Sequence, residues 1–302
     1  STAGSRRRSP ARRPGRRSAD GSASDEQRFV KLVFLGPPDM AVPPLQALVA
    51  AGHDVVLVVT RPDKRRGRGG QLSPSPVKAA ALELGLTVSH DVDDVLTAAR
   101  DDGAELGVVV AFGQILNPHL LDVLPMVNLH FSLLPRWRGA APVERALLAG
   151  DEVTGVCLMA LEEGLDTGGV YARREVPIGP ETTAAELRSE LVDVGTALLV
   201  DTLAAPLGEP EPQTGEVTYA AKLTSDDLEI DWSQRAVDLH RLIRVGGAWT
   251  TFRGKRLKIN AAELHDGLVV PTVVQPEGKA PMSFDSWRHG ARPSPDELFG
   301  AT

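Results

Sequence analysis

Cysteine is all but missing: Cys157 is the one thiol in 302 residues. That rules out an intramolecular disulfide and a thiolate metal cluster. Its place in the apolar run G-V-C-L-M-A predicts a buried, inert thiol rather than a nucleophile. Long apolar runs are missing too. No stretch approaches the ~18 consecutive apolar residues that a membrane span needs, and no signal-peptide apolar segment is visible. A reducing cytoplasmic setting with no membrane partner is the expectation. Residues 1–28 lack apolar side chains almost entirely beyond alanine, so they cannot bury enough surface to offset the entropy of ordering. A disordered basic arm is expected there. It also lacks the amphipathic apolar face of an organellar transit peptide. The arm holds eight arginines against three acids, so the overall charge of −7 becomes about −12 for the remainder. An acidic body repels nucleic acid in general, and any such contact needs a local basic patch.

From Phe29 onward, apolar strands and helical stretches alternate. V-K-L-V-F-L-G reads as a buried strand ending at Gly36, a helix follows at 41–51, and a second strand at 54–60. The alternation continues with helices at 76–85, 92–102 and 118–124 and strands at 86–89, 105–111 and 126–129. Then come a helix at 142–149, strands at 154–160 and 169–177, and a helix at 183–204. This predicts an α/β domain over 29–204, a doubly wound, Rossmann-like, mostly parallel sheet. The first turn, G-P-P-D-M, is not G-x-G-x-x-G. Its prolines remove amide donors that a pyrophosphate would need, which argues against a nicotinamide or flavin there.

Three segments carry chemistry. In M-V-N-L-H-F-S-L-L-P-R-W-R-G, residues 126–139, Asn128 and His130 end a central strand two positions apart and so share one face. Ligands of open α/β sheets bind beyond the carboxyl ends of the strands. A neutral amide donor beside an imidazole can hold and protonate an oxyanion; a satisfied structural histidine beside a turn asparagine is the plainer alternative. Asp166 lies in the Gly-flanked loop L-E-E-G-L-D-T-G-G after the strand at 154–160, which predicts the same rim, or simply an Asx turn. The loop after the second strand sets Arg61, Lys64, Arg65, Arg66 and Arg68 against the single acid Asp63, with glycines for flexibility. It reads as a finger for RNA phosphates or as a solvated charge run.

Taken together these segments give the chain a family likeness. V-F-L-G-P-P-D-M, G-R-G-G-Q-L-S-P-S-P-V-K, N-L-H-F-S-L-L-P-R-W-R-G-A-A-P, G-L-D-T-G, I-D-W-S and G-A-W-T occur in order over roughly residues 30–265. The chain resembles the methionyl-tRNA formyltransferase family. The resemblance implies formyl transfer from 10-formyltetrahydrofolate, as co-substrate, to the α-amine of methionyl-initiator-tRNA, a step of translation initiation. It implies Asn128, His130 and Asp166 as the catalytic trio, Ser132, Leu133, Leu134 and Pro135 as part of the folate site, and Arg68 as the important arginine of a tRNA-entering loop. No metal is required, and a monomer is expected. Leu134-Pro135 is a candidate cis bond.

A Pro-rich linker at 205–216 reads as a semi-rigid, solvated spacer to a second domain at 217–302. There, after a helix at 236–244, Phe252, Leu257, Ile259 and Ala261 are spaced to face a core. Arg253, Lys255, Arg256 and Lys258 would stay exposed for an RNA backbone. The family has a small OB-like β-barrel at this position, but here the stretch past Asp266 and the approach to G-A-W-T are shortened, which leaves closure of the barrel in question. Phe131 is a milder departure, standing where many relatives carry a small residue. Two other functions fit the same motifs: formylation of a small amine such as an amino sugar nucleotide or glycinamide ribonucleotide, and RNA binding with little catalysis. The basic loop and second domain argue against the first, and the intact trio argues against the second.

Overall fold

The structure, a computed structural model, describes residues 1–2, 28–66, 70–294 and 297–300. The arm expected at 1–28 lies outside the described residues except at its ends, where Arg28 reaches Glu105 at 3.4 Å. β1 (Lys31–Leu35) opens the first domain with four consecutive buried residues, the mark of a strand covered on both faces. α1 (Val42–Ala50) and β2 (Asp54–Val59) complete a βαβ unit. β3 (Lys64–Arg66) and β4 (Gln71–Ser73) form a short hairpin, and α2 (Pro76–Glu83) follows, capped by the Ser75 hydroxyl. β5 (Val88–Ser89), α3 (Asp94–Arg100), β6 (Leu106–Val109), α4 (Pro118–Val123) and β7 (Met126–His130) continue the alternation. β8 (Arg138–Gly139), α5 (Pro142–Ala149), β9 (Val153–Ala160), β10 (Val170–Pro177) and α6 (Ala184–Leu203) end it.

Seven of these strands make one sheet in the order β10-β9-β7-β6-β1-β2-β5. The five from β7 to β5 run parallel; β9 lies antiparallel to β7, and β10 to β9. The Rossmann-like, mostly parallel sheet is present, with an antiparallel edge that the sequence pattern does not announce. Buried residues fill both faces, with Phe34, Leu45, Leu129 and Leu187 on one and Leu35, Leu57, Leu120 and Leu124 on the other. Gly195 brings α6 down onto the central strands, because a Cβ there would meet Val156 Cγ1 at 3.1 Å and Leu129 Cδ2 at 3.2 Å. No helix of the described residues is long and apolar enough to cross a membrane.

The stretch at 205–216 is mostly exposed, as a solvated spacer would be, but it is tied to the first domain. Glu211 exchanges two backbone hydrogen bonds with Val170, at 2.8 and 2.9 Å, and β11 (Tyr219–Ala220) then pairs in parallel with β8. Proline content stiffens a segment but does not say which surface it will lie against.

The remaining elements are α7 (Ala236–Val245), β12 (Trp249–Phe252), β13 (Lys255–His265), β14 (Leu268–Pro276), β15 (Met282–Ser283) and α8 (Phe284–Ala291). Their four strands form a small antiparallel sheet in chain order; among the described residues β12 and β15 are its edges, and no ladder joins them. Phe252, Leu257 and Ile259 are buried as the alternation predicts. Ala261 is not, because bulges on both sides of it shift the register and Ala262 packs against the core instead. Arg253, Lys255 and Lys258 are exposed as expected and Arg256 is half-buried, but the two arginines have partners within the protein. Arg253 is paired with Glu297, and Arg256 lies 3.8 Å over the Trp249 ring with a 2.6 Å bond to Ser225. The edge of β12 is covered by the chain's own end, where the Gly300 amide donates to the Thr251 carbonyl at 2.9 Å and Phe299 stacks on Trp232 at 5.3 Å.

Replacing Gly195 by Val should overpack the α6–sheet contact and lower stability by about 1–3 kcal/mol, read as a drop in the thermal midpoint. An unchanged midpoint would mean that α6 can ride outward freely.

Candidate active site

Asn128 and His130, on one face of β7, both line a cavity of about 430 Å³ at the carboxyl ends of the parallel strands. Met40, Phe112, Ile115, Val143 and Arg188 contribute to its walls. Among the described residues nothing hydrogen-bonds the Asn128 side chain, so its amide is available to the cavity.

Asp166 reaches this cavity by an indirect route. Because β9 runs antiparallel to β7, its last residue, Ala160, lies beside Val127, while Cys157 lies beside His130. The strand therefore exits three residues short of His130, roughly 10 Å back along the sheet. The loop at 161–169 doubles back over that distance. Asp166 then stands with Oδ2 3.7 Å from His130 Nδ1 and accepts the Gly139 N–H at 2.8 Å. Its φ is +50°, a left-handed conformation that Asp tolerates better than most residues. The expected meeting of Asn128, His130 and Asp166 occurs, but the strand direction that was to produce it does not.

His130 is fixed from its other side by backbone. Its Nε2 lies 2.9 Å from the Trp137 carbonyl. A carbonyl oxygen can only accept, so this bond requires the proton on Nε2. In the neutral ring Nδ1, facing Asp166, is then the basic nitrogen; once protonated it is a charged donor. Trp137 itself has φ +63° and is held firmly. Its backbone N–H donates to Thr218 Oγ1 at 2.9 Å, and its indole N–H donates to Asp151 at 2.7 Å. Arg136 binds the same Asp151 carboxylate through Nε at 2.9 Å and Nη2 at 2.6 Å, and lies 4.4 Å over the indole. Its hydrogen bond to Asp151 raises the Arg136 pKa above the ordinary value.

Ser132, Leu133, Leu134 and Pro135 are not among the residues lining the cavity. They form the turn that returns Trp137 to His130. Ser132, fully buried, donates to the Arg136 carbonyl at 2.6 Å, and the Leu134-Pro135 bond is cis as expected. Leu134 packs with Cys157, Met159 and Val170. Burial pushes the Cys157 thiol up, which fits the inert thiol read from its apolar run.

The basic segment after β2 is a hairpin rather than an open loop, with Lys64, Arg65 and Arg66 of β3 opposite Ser73, Leu72 and Gln71. Lys64 and Arg65 are exposed and Arg61 is half-buried; Arg68 lies outside the described residues. Asp63, the acid of this segment, is held by Lys78 Nζ at 2.7 Å, leaving the exposed cations without that neutralising partner. Since β2 is three strands from β7, the hairpin rises from the same carboxyl edge at roughly 14 Å along it. Among the described residues no group of three His, Cys, Asp or Glu side chains is placed to hold a metal ion.

Sequence reasoning passed over three contributors. Trp137 acts through its carbonyl and Gly139 through its amide, neither of which a residue type reveals. Gln213 donates to the Asp166 and Gly168 carbonyls from 47 and 45 residues away.

The formyl transferase family model matches residues 30–203, and the formyl transferase C-terminal domain model matches residues 222–267. A methionyl-tRNA formyltransferase of Heliobacterium modesticaldum is 47% identical over 265 residues, covering 83% of this chain and 83% of its own length. That of Jannaschia sp. is 43% identical over 301 residues, covering 89% of this chain and all of its own. Among solved structures, the sugar 3N-formyl transferase WlaRD, in the presence of dTDP and 5-N-formyl-THF, has a TM-score of 0.58 at 16% identity. That match covers 84% of this chain and 100% of WlaRD, a likeness of fold. The chain belongs to the methionyl-tRNA formyltransferase family.

Replacing Asp151 by Ala removes the acceptor of three N–H groups and should lower stability by about 1–3 kcal/mol. A thermal midpoint within error of wild type would show that water replaces the carboxylate without loss.

Proposed function

We propose that this chain transfers the formyl group of 10-formyltetrahydrofolate to the α-amine of methionyl-initiator-tRNA, in the cytoplasm, in support of translation initiation. The observation that carries the reading is the convergence of Asn128, His130 and Asp166 on one cavity in a chain of this family.

The chemistry follows from those groups. The neutral amine attacks the formyl carbon, a C–N bond forms, and the carbonyl electron pair moves onto oxygen. The Asn128 amide and the protonated His130 Nδ1 donate to that oxyanion; one such donor is typically worth ~3 kcal/mol, or a hundredfold or more in rate. Asp166, adjacent to Nδ1, orients the imidazole and takes up the amine's surplus proton, directly or through water. The tetrahedral carbon then collapses, its bond to N10 of the folate breaks, and the proton ends on N10. Tetrahydrofolate and formyl-methionyl-tRNA leave. Holding two large substrates in register supplies much of the remaining acceleration. The Ser132–Pro135 turn serves the site by carrying the Trp137 carbonyl that fixes the imidazole.

The hairpin with Arg61, Lys64, Arg65 and Arg66, extended by Arg68, would meet phosphates of the acceptor stem. A small amine acceptor does not need that hairpin, which favours the tRNA over an amino sugar nucleotide. Transfer of radiolabelled formyl to charged initiator tRNA, with an amino-sugar nucleotide as control acceptor, tests the substrate; label on the sugar alone would overturn the reading. His130→Ala and Asp166→Asn should each lower turnover by about a hundredfold or more with the fold retained, and a near-normal rate removes that residue from the mechanism. tRNA affinity should fall steeply with salt. Removing Lys64 and Arg65 together should reduce the log–log salt slope by about one per lost phosphate contact, while the KM for the folate stays put.

A further inference from the structure

The loop that carries Asp166 leaves the sheet at the far end from His130 and has to be returned. Two contacts pin it at the return point. One is the Gly139 amide on the Asp166 carboxylate; the other is Gln213, in the stretch whose composition suggested a spacer. The Gln213 amide is used completely. Its Nε2 donates to the Asp166 carbonyl and to the Gly168 carbonyl, each at 2.8 Å. Its Oε1 accepts from Arg138 Nε at 3.1 Å and Nη2 at 2.7 Å. Two donors and two lone pairs are all that a primary amide has.

These bonds close a ring. Arg138 and Gly139 are consecutive residues of β8; one grips Gln213 and the other grips the Asp166 side chain, while Gln213 grips the Asp166 backbone. The strap bearing Gln213 is fastened at both ends, by the Glu211–Val170 bridge before it and by the β11–β8 ladder after it. A non-glycine residue at positive φ, such as Asp166, persists only where its surroundings over-determine it. Gln213 supplies that determination, and it does not itself line the cavity.

We infer that Gln213 is a positioning residue for formyl transfer, fixing the Asp166 backbone so that the carboxylate stands over His130 Nδ1. The inference rests on the role proposed above for Asp166. Its test compares full-length wild type with Gln213→Ala, Gln213→Glu, Asp166→Asn and the Gln213→Ala/Asp166→Asn double variant, each assayed for formyl transfer and for thermal midpoint. Gln213→Ala should lower kcat roughly ten- to hundredfold, the cost of a small misplacement of a reacting group, with the KM for either substrate little changed. Gln213→Glu keeps the acceptor for Arg138 but loses both donations to the Asp166 loop, and so should fall with the alanine variant. If Gln213 merely fastened the strap to Arg138, the glutamate would retain the wild-type rate, and that result overturns the inference. In the Asp166→Asn background the alanine change should add little, because the group it positions is already gone; a full multiplicative loss likewise overturns it. A near-normal rate for Asp166→Asn brings down the reading of the site itself. That is distinct from a slow Asp166→Asn beside fast Gln213 variants, which ends only this inference. Should the alanine variant fail to fold, the glutamate variant carries the same comparison.

Discussion

An imidazole held between a backbone carbonyl and a carboxylate is the arrangement around which this molecule's cavity is built. The Trp137 carbonyl takes the Nε2 proton of His130, which assigns the opposite nitrogen to Asp166 and the cavity. Either half alone is incomplete. Without the carbonyl, the ring could present either nitrogen to the cavity. Without the carboxylate, Nδ1 would face the cavity with no charged neighbour within 4 Å among the described residues. Much of the surrounding architecture serves these two contacts. The buried Ser132 and the Arg136–Trp137–Asp151 cluster hold the carbonyl in place; Gly139 bonds the Asp166 carboxylate and Gln213 the Asp166 backbone.

The two domains are joined by contacts beyond the chain that links them. The segment from Glu211 to Ala220 lies along the first domain, completes a two-stranded ladder with β8, and only then leads into the second. Beyond it, His240 of α7 is buried and faces Glu181 at 3.3 Å, and Arg244 of the same helix donates to the Thr182 carbonyl at 2.8 Å. The Arg244 hydrogen bond thus adds a polar tie between the domains to their apolar packing. Its own core is small, and the aromatic group of Trp232, Phe252, Phe284, Trp287 and Phe299 supplies much of its buried surface. Large rings bury much area per residue, which suits a sheet with few strands.

Charge is unevenly distributed along the carboxyl edge of the sheet. The body is acidic, while Lys64 and Arg65 stand exposed on a hairpin at the carboxyl edge of the sheet, on the same side as the cavity. The single acid within that segment is turned away into a bond with Lys78. Opposed fields of this kind orient a partner before contact, because a highly charged chain is repelled from the body and drawn to the hairpin.

What the sequence determined by itself was whatever depends on local period and residue chemistry. Runs of buried apolar residues marked β1, β6 and β7, and strand alternation set Asn128 and His130 on one face. The motif residues carried the likeness to the family, and the cis Leu134-Pro135 bond was anticipated from the same turn. Tertiary structure alone decided the direction of β9, and so the doubling back that brings Asp166 to His130. It also decided the fastening of the Pro-rich strap to the first domain, the bulges that turn Ala261 out of the core, and the engagement of Arg253 and Arg256 within the protein. The physical reason is the same in each case. Hydrophobic period fixes which face of a segment is buried. It is silent on which way a strand runs beside its neighbour, and on which distant backbone carbonyls a glutamine or arginine will find. Those are settled when the chain satisfies its buried polar groups, and that happens only in three dimensions.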